Sequence, residues 1–441
     1  MSEPYARHEA PDIAYGDDPS VDDRLSEPKS TDTVRFWALP ILGTLTLLSA
    51  LAAFYLGGIL QPMTNLRHFP IAILNEDAGP TGAQVVKGML AGFDNDAYDV
   101  RELNHDQAKT QLDTAQIYGL AVIPPNFSSK LQAYAKSALT PGRVERAVVI
   151  VSTNPRAGTL GAGIAGQTLQ RAVSTIDQRV GQRLSQEVAE QTGKAPEPGA
   201  VALMLANPVE VKSTVHNALP DGTGNGLSAF YYALLLVLAG FTGSIVVSRL
   251  VDSTLTNPAK ISRSRTLLIK WVMIAVLALL TSAAYVLIAG QLGMPVQKSA
   301  ALWLFGAFAI LTVGVASISL IAALGAVGVV VSMFIFVILG IPSAGATVPL
   351  QATPAWFEWL AKFEPMHQVF LGTRSLLYLG GGSGSGLSQS LGWLAVGLAV
   401  GVLFGAGVVR RYDRRAHDRV PVSTAGESPA DMPAEIAYPD R

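Results

Sequence analysis

Two neighbouring acids and six dispersed histidines are the side chains of this sequence best suited to chemistry. Glu76 and Asp77 directly follow the apolar run Phe69–Asn75, and two adjacent carboxylates can share acid–base work or bind a cation. The alternative interpretation places both acids in a turn that ends a strand. The histidines are too scattered to suggest a metal site; they are His8, His68, His105, His216, His367 and His417.

Motifs that support catalysis are absent from the sequence. It contains no cysteine, no His-Glu-x-x-His motif and no Gly-x-Ser-x-Gly elbow. It also lacks the Gly-x-x-x-x-Gly-Lys-Ser/Thr loop that cradles nucleotide phosphates, so the chain is not expected to hydrolyse ATP by itself. We therefore predict that the protein is not an enzyme, with no catalytic residue, no metal and no cofactor.

A basic segment is the one feature with a clear potential for partner binding. Arg249, Lys260, Arg263 and Arg265 lie in the interval 249–270 between two apolar runs. One interpretation is a docking surface for a cytoplasmic partner. The other is that these charges set the membrane orientation and contact lipid head groups.

The elements that would position this segment are membrane spans. The chain is 49% hydrophobic and only 15% charged, and its net charge of -1 gives no reason to expect a nucleic-acid partner. A bilayer core of about 30 Å is crossed by roughly 20 apolar residues in a helix. Six runs without charged residues approach that length, so we predict a polytopic α-helical membrane protein in a lipid bilayer; the runs are Phe36–Leu60, Leu227–Ser248, Trp271–Leu292, Ala300–Leu324, Val327–Ile341 and Leu391–Val409.

Lysine and arginine near the span ends predict the orientation. They concentrate in the interval 249–270 and in the tail 410–441, whereas the interval 342–390 carries few. Because cytoplasmic loops carry the excess of positive charge, both termini are expected in the cytoplasm of a bacterial cell, with spans three to five within 271–341. The polar tails, 1–33 and the end of 410–441, are predicted to be disordered.

One large polar region, 61–222, separates the first two spans and is expected outside the cytoplasm. Strands are predicted for the short apolar run Phe69–Asn75, for Tyr98–Leu103 and for the alternating segment Val209–Val215. Segments with helical apolar spacing lie between them, including a long helix over 159–191. This alternation predicts an α/β domain.

Three groups of residues resemble one family. They are a single span followed by a polar insertion and five spans; the runs Pro70–Gly79 and Tyr118–Ser128; and, before the last span, Pro354–Phe357, Glu364–Met366 and Leu371–Leu377. Together they resemble the ABC-2 type transporter permeases, in particular the YhgE/Pip (phage infection protein) group. The third group is similar to the amphipathic outer helices of such permeases.

The resemblance implies a division of labour. It implies the membrane subunit of an exporter, paired with a second copy and driven by a separate cytoplasmic ATPase that presses on the loop with Arg249, Lys260, Arg263 and Arg265. The cargo would be hydrophobic or amphipathic: a lipid, a glycolipid or a drug. The alternative is a membrane-anchored surface binding, scaffold or receptor-like protein that works through region 61–222 without transport.

Overall fold

The computed structural model describes residues 34–137, 145–192, 205–254 and 262–417. They divide into two units, the residues up to Ala53 and those from Phe54 onward. The predicted tail 1–33, Lys260 and residues 418–441 lie outside the described residues.

The described chain contains helices and strands in the following order. Helix α1 comes first, and strands β1–β5 alternate with helices α2–α5 before helices α6–α12. The bounds are α1 Val34–Ile59, β1 Phe69–Asn75, α2 Pro80–Gly92, β2 Tyr98–Leu103, α3 His105–Asp113, β3 Gly119–Ile123, α4 Phe127–Ser137, β4 Ala147–Thr153, α5 Thr159–Thr192, β5 Val209–Val215, α6 Leu227–Thr254, α7 Arg263–Gln291, α8 Ser299–Leu324, α9 Ala326–Ser343, α10 Ala355–Ala361, α11 Pro365–Tyr378 and α12 Leu387–His417.

Six of these helices, α1, α6, α7, α8, α9 and α12, are long and apolar enough to cross a membrane. The prediction of six such segments is confirmed, but several boundaries differ. Helix α6 continues to Thr254 and α7 begins at Arg263, so much of the expected basic loop is helical. The charged residues continue the helices because lysine and arginine are good helix formers once the chain leaves hydrocarbon.

The strands form one mixed sheet in the order β2-β1-β3-β4-β5. Strand β1 pairs parallel with β2 and β3, β3 pairs antiparallel with β4, and β4 pairs parallel with β5. Successive residues of β1 point to opposite faces. Ile71 and Ile73 enter the core under α2, α4 and α5, whereas Ala72 and Leu74 pack with α3. We call residues 69–215, as far as they are described, the sheet domain.

The predicted long helix is present as α5, Thr159–Thr192. Its apolar stripe lies on the sheet, because Ile164, Leu169, Val173 and Ile176 belong to the same core as strand β1. The start of α3 is also as its sequence suggests. Asn104 forms a capping box with Gln107, which satisfies two backbone N–H groups that a helix start leaves free.

We call helices α6–α9, α11 and α12 the bundle. Helix α8 lies at its centre, and the other five helices pack against it. Glycines and hydroxyl side chains allow the close contacts: a Cβ at Gly240 would lie 2.8 Å from the carbonyl oxygen of Ile310. The turn between α8 and α9 requires glycine at Gly325, whose φ is +61°. Helix α9 becomes a π-helix over Phe334–Leu339, and such segments are frequent at functional sites.

Helix α11 contains much of the stretch that resembles the amphipathic outer helices of ABC-2 permeases. Most of its residues are buried, including Met366, Val369 and Phe370. It packs against α6 and α12 and, to a lesser extent, α8. Because helices surround it, its polar side chains such as Gln368 and Thr373 are buried as well.

Candidate functional site

The basic residues singled out in the sequence lie at the ends of two adjacent spans. Arg249 is in the last turns of α6, and Arg263 and Arg265 are in the first turn of α7. The Ser262 side chain caps α7 by accepting a hydrogen bond from the Arg265 backbone N–H at 3.3 Å. Cations at a helix start oppose the helix dipole, so the dipole does not explain the positions of Arg263 and Arg265.

Contacts tie three span ends together at this place, which we call the basic end. Ser264 of α7 donates a hydrogen bond to Asp413 of α12 at 2.8 Å. The Arg263 guanidinium lies 5.5 Å from the centre of the Tyr412 ring, within cation–π range. Lys270 of α7 pairs with Asp252 of α6 at 2.8 Å. The ends of α6, α7 and α12 are therefore in contact with one another through polar side chains.

The Lys270–Asp252 pair joins a buried cation to an exposed anion. The Lys270 side chain is 8% exposed and that of Asp252 is 59% exposed. A nearly buried ammonium is costly unless it is paired and hydrogen-bonded, so Asp252 is what allows Lys270 to lie between the helices. Its water-exposed carboxylate also leaves the pair accessible to a charged partner.

A cavity of about 830 Å³ opens at the basic end. Its apolar lining includes Ile321 of α8 together with Val329 and Val330 of α9. The cavity is also lined by polar and charged side chains, namely Arg249, Arg263, Lys270, Asp252 and Tyr412. The structure thus brings two of the four predicted residues into one cavity, whereas Arg265 does not line it and Lys260 is outside the described residues.

Sequence reasoning missed Asp252, Lys270 and Tyr412 as parts of this site. One signal could have found the first two: they carry opposite charges near the facing ends of two consecutive spans. Nothing in the sequence brings Tyr412 to them, because α12 is distant along the chain.

The acid pair Glu76 and Asp77 does not form a joint site. Asp77 is buried and accepts hydrogen bonds from the Ser128 backbone N–H at 3.1 Å and the Ser128 hydroxyl at 2.5 Å. Glu76 instead contacts His105, with 2.9 Å between its Oε1 and Nδ1. The carboxylates serve the local turn and the packing of α4. Among the described residues, no group of three His, Asp or Glu side chains could hold a metal ion.

The sheet domain is fastened to the bundle through α11. Arg374 of α11 donates a hydrogen bond to the carbonyl oxygen of Ala157 at 2.8 Å. In return, Arg156 donates to the carbonyl oxygens of Tyr378, at the end of α11, and Ala218. Burial lowers the pKa of Arg374 from its usual value. This junction lies at the ends of the spans opposite the basic end.

Comparison with known families adds one match. A family described as "ABC-2 family transporter protein" matches residues 36–406, most of the chain and all six spans but for the terminal turns of α1 and α12. No curated protein and no solved structure matches this chain.

Proposed function

Because this chain belongs to the ABC-2 family of transporter proteins, we propose that it is the permease subunit of an exporter for a hydrophobic or amphipathic compound. A lipid, a glycolipid or a drug has that chemistry. As the membrane component of a transporter, the chain needs energy from a separate ATPase subunit bound at the basic end. The observation that carries this proposal is the meeting of Arg249, Arg263 and the Lys270–Asp252 pair at the linked ends of three spans.

The contacts at the basic end suit it to be displaced by an ATPase subunit. An ATPase that engages Arg249 and Arg263 would act on α6 and α7 directly. The Ser264–Asp413 hydrogen bond and the Arg263–Tyr412 contact then carry the displacement to α12. Coupling of this kind needs contiguous packed elements, and the basic end supplies them.

The proposed orientation puts the basic end in the cytoplasm of a bacterial cell and both termini with it. The sheet domain, which lies between the first and second spans in sequence, is then extracytoplasmic. The concentration of arginine at one end supports this orientation. Exposed aromatic side chains at the other end are consistent with a membrane–water interface there. Trp359, Phe363 and Trp393 are 62%, 54% and 41% exposed, as expected of rings at a membrane–water interface.

Two finer predictions belong to the same proposal. The permease works as a homodimer, and it belongs to the YhgE/Pip group. The residues Pro70–Gly79 and Tyr118–Ser128 support the second prediction through their resemblance to that group.

The partner is tested by purifying the full chain from its own cells after mild crosslinking. We expect a protein with a phosphate-binding loop to copurify with the wild type, and its amount to fall severalfold with Arg249→Gln plus Arg263→Gln. A matched control removes two exposed cations elsewhere, with Lys87→Gln plus Arg171→Gln, and keeps the yield. Equal recovery from both double variants, or no nucleotide-binding protein at all, contradicts the proposal.

The orientation is tested with single cysteines, since the chain has none. Arg171→Cys and Arg265→Cys place thiols on the sheet domain and at the basic end, both at exposed positions. A membrane-impermeant maleimide added to intact spheroplasts should label the first and spare the second until the membrane is permeabilised. Labelling of both from one side would refute the orientation.

The alternative, a surface binding or scaffold protein, makes a different prediction. Cells that lack the chain would then export the amphipathic test compound as well as wild-type cells do. Loss of export on deletion, restored by the wild type and not by the Arg249→Gln plus Arg263→Gln variant, favours the permease.

A further inference from the structure

A second cavity lies in the sheet domain, far from the basic end along the chain. It is a groove of about 700 Å³ between α2, α4 and α5, within the usual range of about 300 to 1,000 Å³ for small-molecule sites. Its bottom is apolar and nearly closed to water. The side chains there are at most 6% exposed; they are Val85, Leu131, Ile176, Leu184 and Val188.

The spacing along α5 creates this apolar bottom. Ile176, Val180, Leu184 and Val188 follow one another in steps of four residues, so they lie on one side of the helix. Arg179 and Arg183 precede two of them by one position and therefore stand along the edge of the same side. The groove thus has an apolar bottom, and cationic side chains lie along its rim.

Among the residues that the structure describes, no acidic side chain pairs with either arginine. The two arginines are exposed, four residues apart on one helix, and like charges at that spacing repel. Arg183 donates a hydrogen bond to the neutral Gln84 side chain at 2.5 Å. Within the described ranges neither arginine, nor Glu187 nearby, forms an ion pair.

The rim as a whole favours an anion. The charged side chains that line the groove are Lys136, Arg179, Arg183 and Glu187. Lys136 has an interaction of its own, so the cations available to an anion are Arg179 and Arg183. A planar guanidinium fork binds carboxylate or phosphate with two hydrogen bonds, so two such forks one turn apart can hold one anionic head group.

We propose that this groove binds an amphiphile with an anionic head group, the hydrocarbon chain lying on the apolar bottom and the head group on Arg179 and Arg183. If the proposed export also holds, the groove is where the sheet domain binds cargo of that class. The binding site itself stands without that assumption, because it is built from the sheet domain alone.

Photocrosslinking of the full chain in nanodiscs of zwitterionic lipid tests the proposal. The probe is a long-chain fatty acid with a diazirine on its chain, and the comparison probe is the corresponding fatty alcohol. We expect adducts of the acid on peptides of α2, α4 and α5. Adducts on the spans measure how much of each probe reached the membrane.

Three variants separate the head group from the chain. Arg179→Gln plus Arg183→Gln should lower groove adducts of the acid by roughly fivefold. Lys87→Gln plus Arg171→Gln removes the same charge from exposed positions outside the groove and should leave labelling unchanged. Gly88→Leu keeps both arginines and fills the groove, since a Cβ there would already lie 2.8 Å from Ile176 Cδ1; it should lower labelling as well.

Two results would overturn the proposal. One is labelling of the spans with no adduct on the three helices in the wild type. The other is groove labelling that is the same for acid and alcohol, or unaffected by the loss of both arginines. Neither result bears on whether an ATPase copurifies, so failure of the groove and failure of the export proposal remain distinguishable.

Discussion

The sheet domain and the bundle differ in which side chains they bury. In the sheet domain, Phe69, Ile71 and Ile73 are fully buried. In the bundle, hydroxyl side chains such as Ser282 are fully buried, while Leu287 is 68% exposed. Water drives large apolar side chains inward, whereas a lipid surround gives them no reason to leave the surface.

This difference shows what holds each region together. Without a hydrophobic drive between spans, close contact at small residues and hydrogen bonds between helices must supply the association. Gly306 lies so close to Ser282 that a Cβ there would overlap its hydroxyl. The bundle should therefore be sensitive to added volume at its glycines. The sheet domain, whose interior is apolar, should be sensitive to a buried polar group left without its hydrogen bonds.

The largest expected effect comes from Gly328→Val. A Cβ at Gly328 would lie 2.7 Å from the Ile321 Cα and would meet the Leu320 carbonyl oxygen. Backbone cannot move aside as a flexible side chain can, so α8 and α9 should separate. We expect the variant to lose its monodisperse peak on size-exclusion chromatography in detergent.

Gly407→Val is the matched control for that prediction. It adds the same side chain to α12 at a position with nothing within 4 Å of the new Cβ. The control should elute as the wild type does. Similar elution of both variants would show that close helix contacts do not hold the bundle together.

The second prediction concerns Glu364, which caps α11 and touches the end of α9. Its Oε2 accepts a hydrogen bond from the His367 backbone N–H at 3.1 Å, and its buried Oε1 has no hydrogen-bond partner. Burial raises the pKa of this carboxyl from 4.5 to about 8. Burial also lowers the pKa of His367 to about 4, so that imidazole supplies no compensating charge.

The raised pKa determines the sign of the pH dependence. The folded chain binds the Glu364 proton more tightly than the unfolded chain, so this stabilisation is complete below about pH 4.5 and is lost as the pH rises through about 8. Relative to Glu364→Gln, the wild type should lose about 1.4 kcal/mol of unfolding free energy per pH unit within that window.

Thermal unfolding of wild type and Glu364→Gln in detergent, from about pH 5 to about pH 9, measures this difference. The two should agree at the acidic end, and the variant should be the more stable at the alkaline end. His367 changes charge in both proteins, so its contribution cancels in the comparison. A constant gap between the curves would mean that Glu364 does not hold a proton in the folded protein.

The third prediction tests the sheet domain through Asp77→Asn. The buried carboxylate accepts hydrogen bonds from Ser128 and, at 3.2 Å, from the Gly82 backbone N–H. An amide nitrogen in place of one oxygen faces donors, and a lost hydrogen bond to a charged group costs about 1.5 to 3 kcal/mol. Amide hydrogen exchange in β1 and β3 should accelerate accordingly.

Asp221→Asn is the control for Asp77→Asn. Asp221 is exposed and makes none of these contacts, so exchange should not change. If Asp77→Asn also left exchange in β1 and β3 unaltered, buried hydrogen bonds would not be what stabilises this region.

The smallest expected effect belongs to Arg146→Gln. Arg146 and Glu210 form a cross-strand ion pair at 3.5 Å with side chains 46% and 51% exposed. Exposed pairs contribute about 0 to 1 kcal/mol, so exchange in β4 and β5 should barely change. Acceleration as large as that of Asp77→Asn would contradict the view that the surface charges of the sheet domain serve solubility rather than stability.

Much of the architecture could be predicted because each signal is local. Hydrocarbon excludes charge, so the absence of charged residues from runs such as Leu227–Ser248 reveals spans without any knowledge of their neighbours. A short apolar run revealed the strand Phe69–Asn75 in the same way, and helical periodicity revealed the long helix over 159–191. The ends of the spans were less predictable, since charged residues can continue a helix into water, as α6 and α7 do.

The site residues likewise divide into those that the sequence reveals and those that it does not. The charge of Arg249 and Arg263 at the ends of two spans was readable from the sequence, as was the absence of a nucleotide-binding loop. Only the tertiary structure decided that these arginines share a cavity with Tyr412, that α11 is buried, and that Arg179 and Arg183 border an apolar groove. The reason is physical: solvent preference acts on each residue separately, whereas a cavity or a junction exists only once segments distant along the chain have packed together.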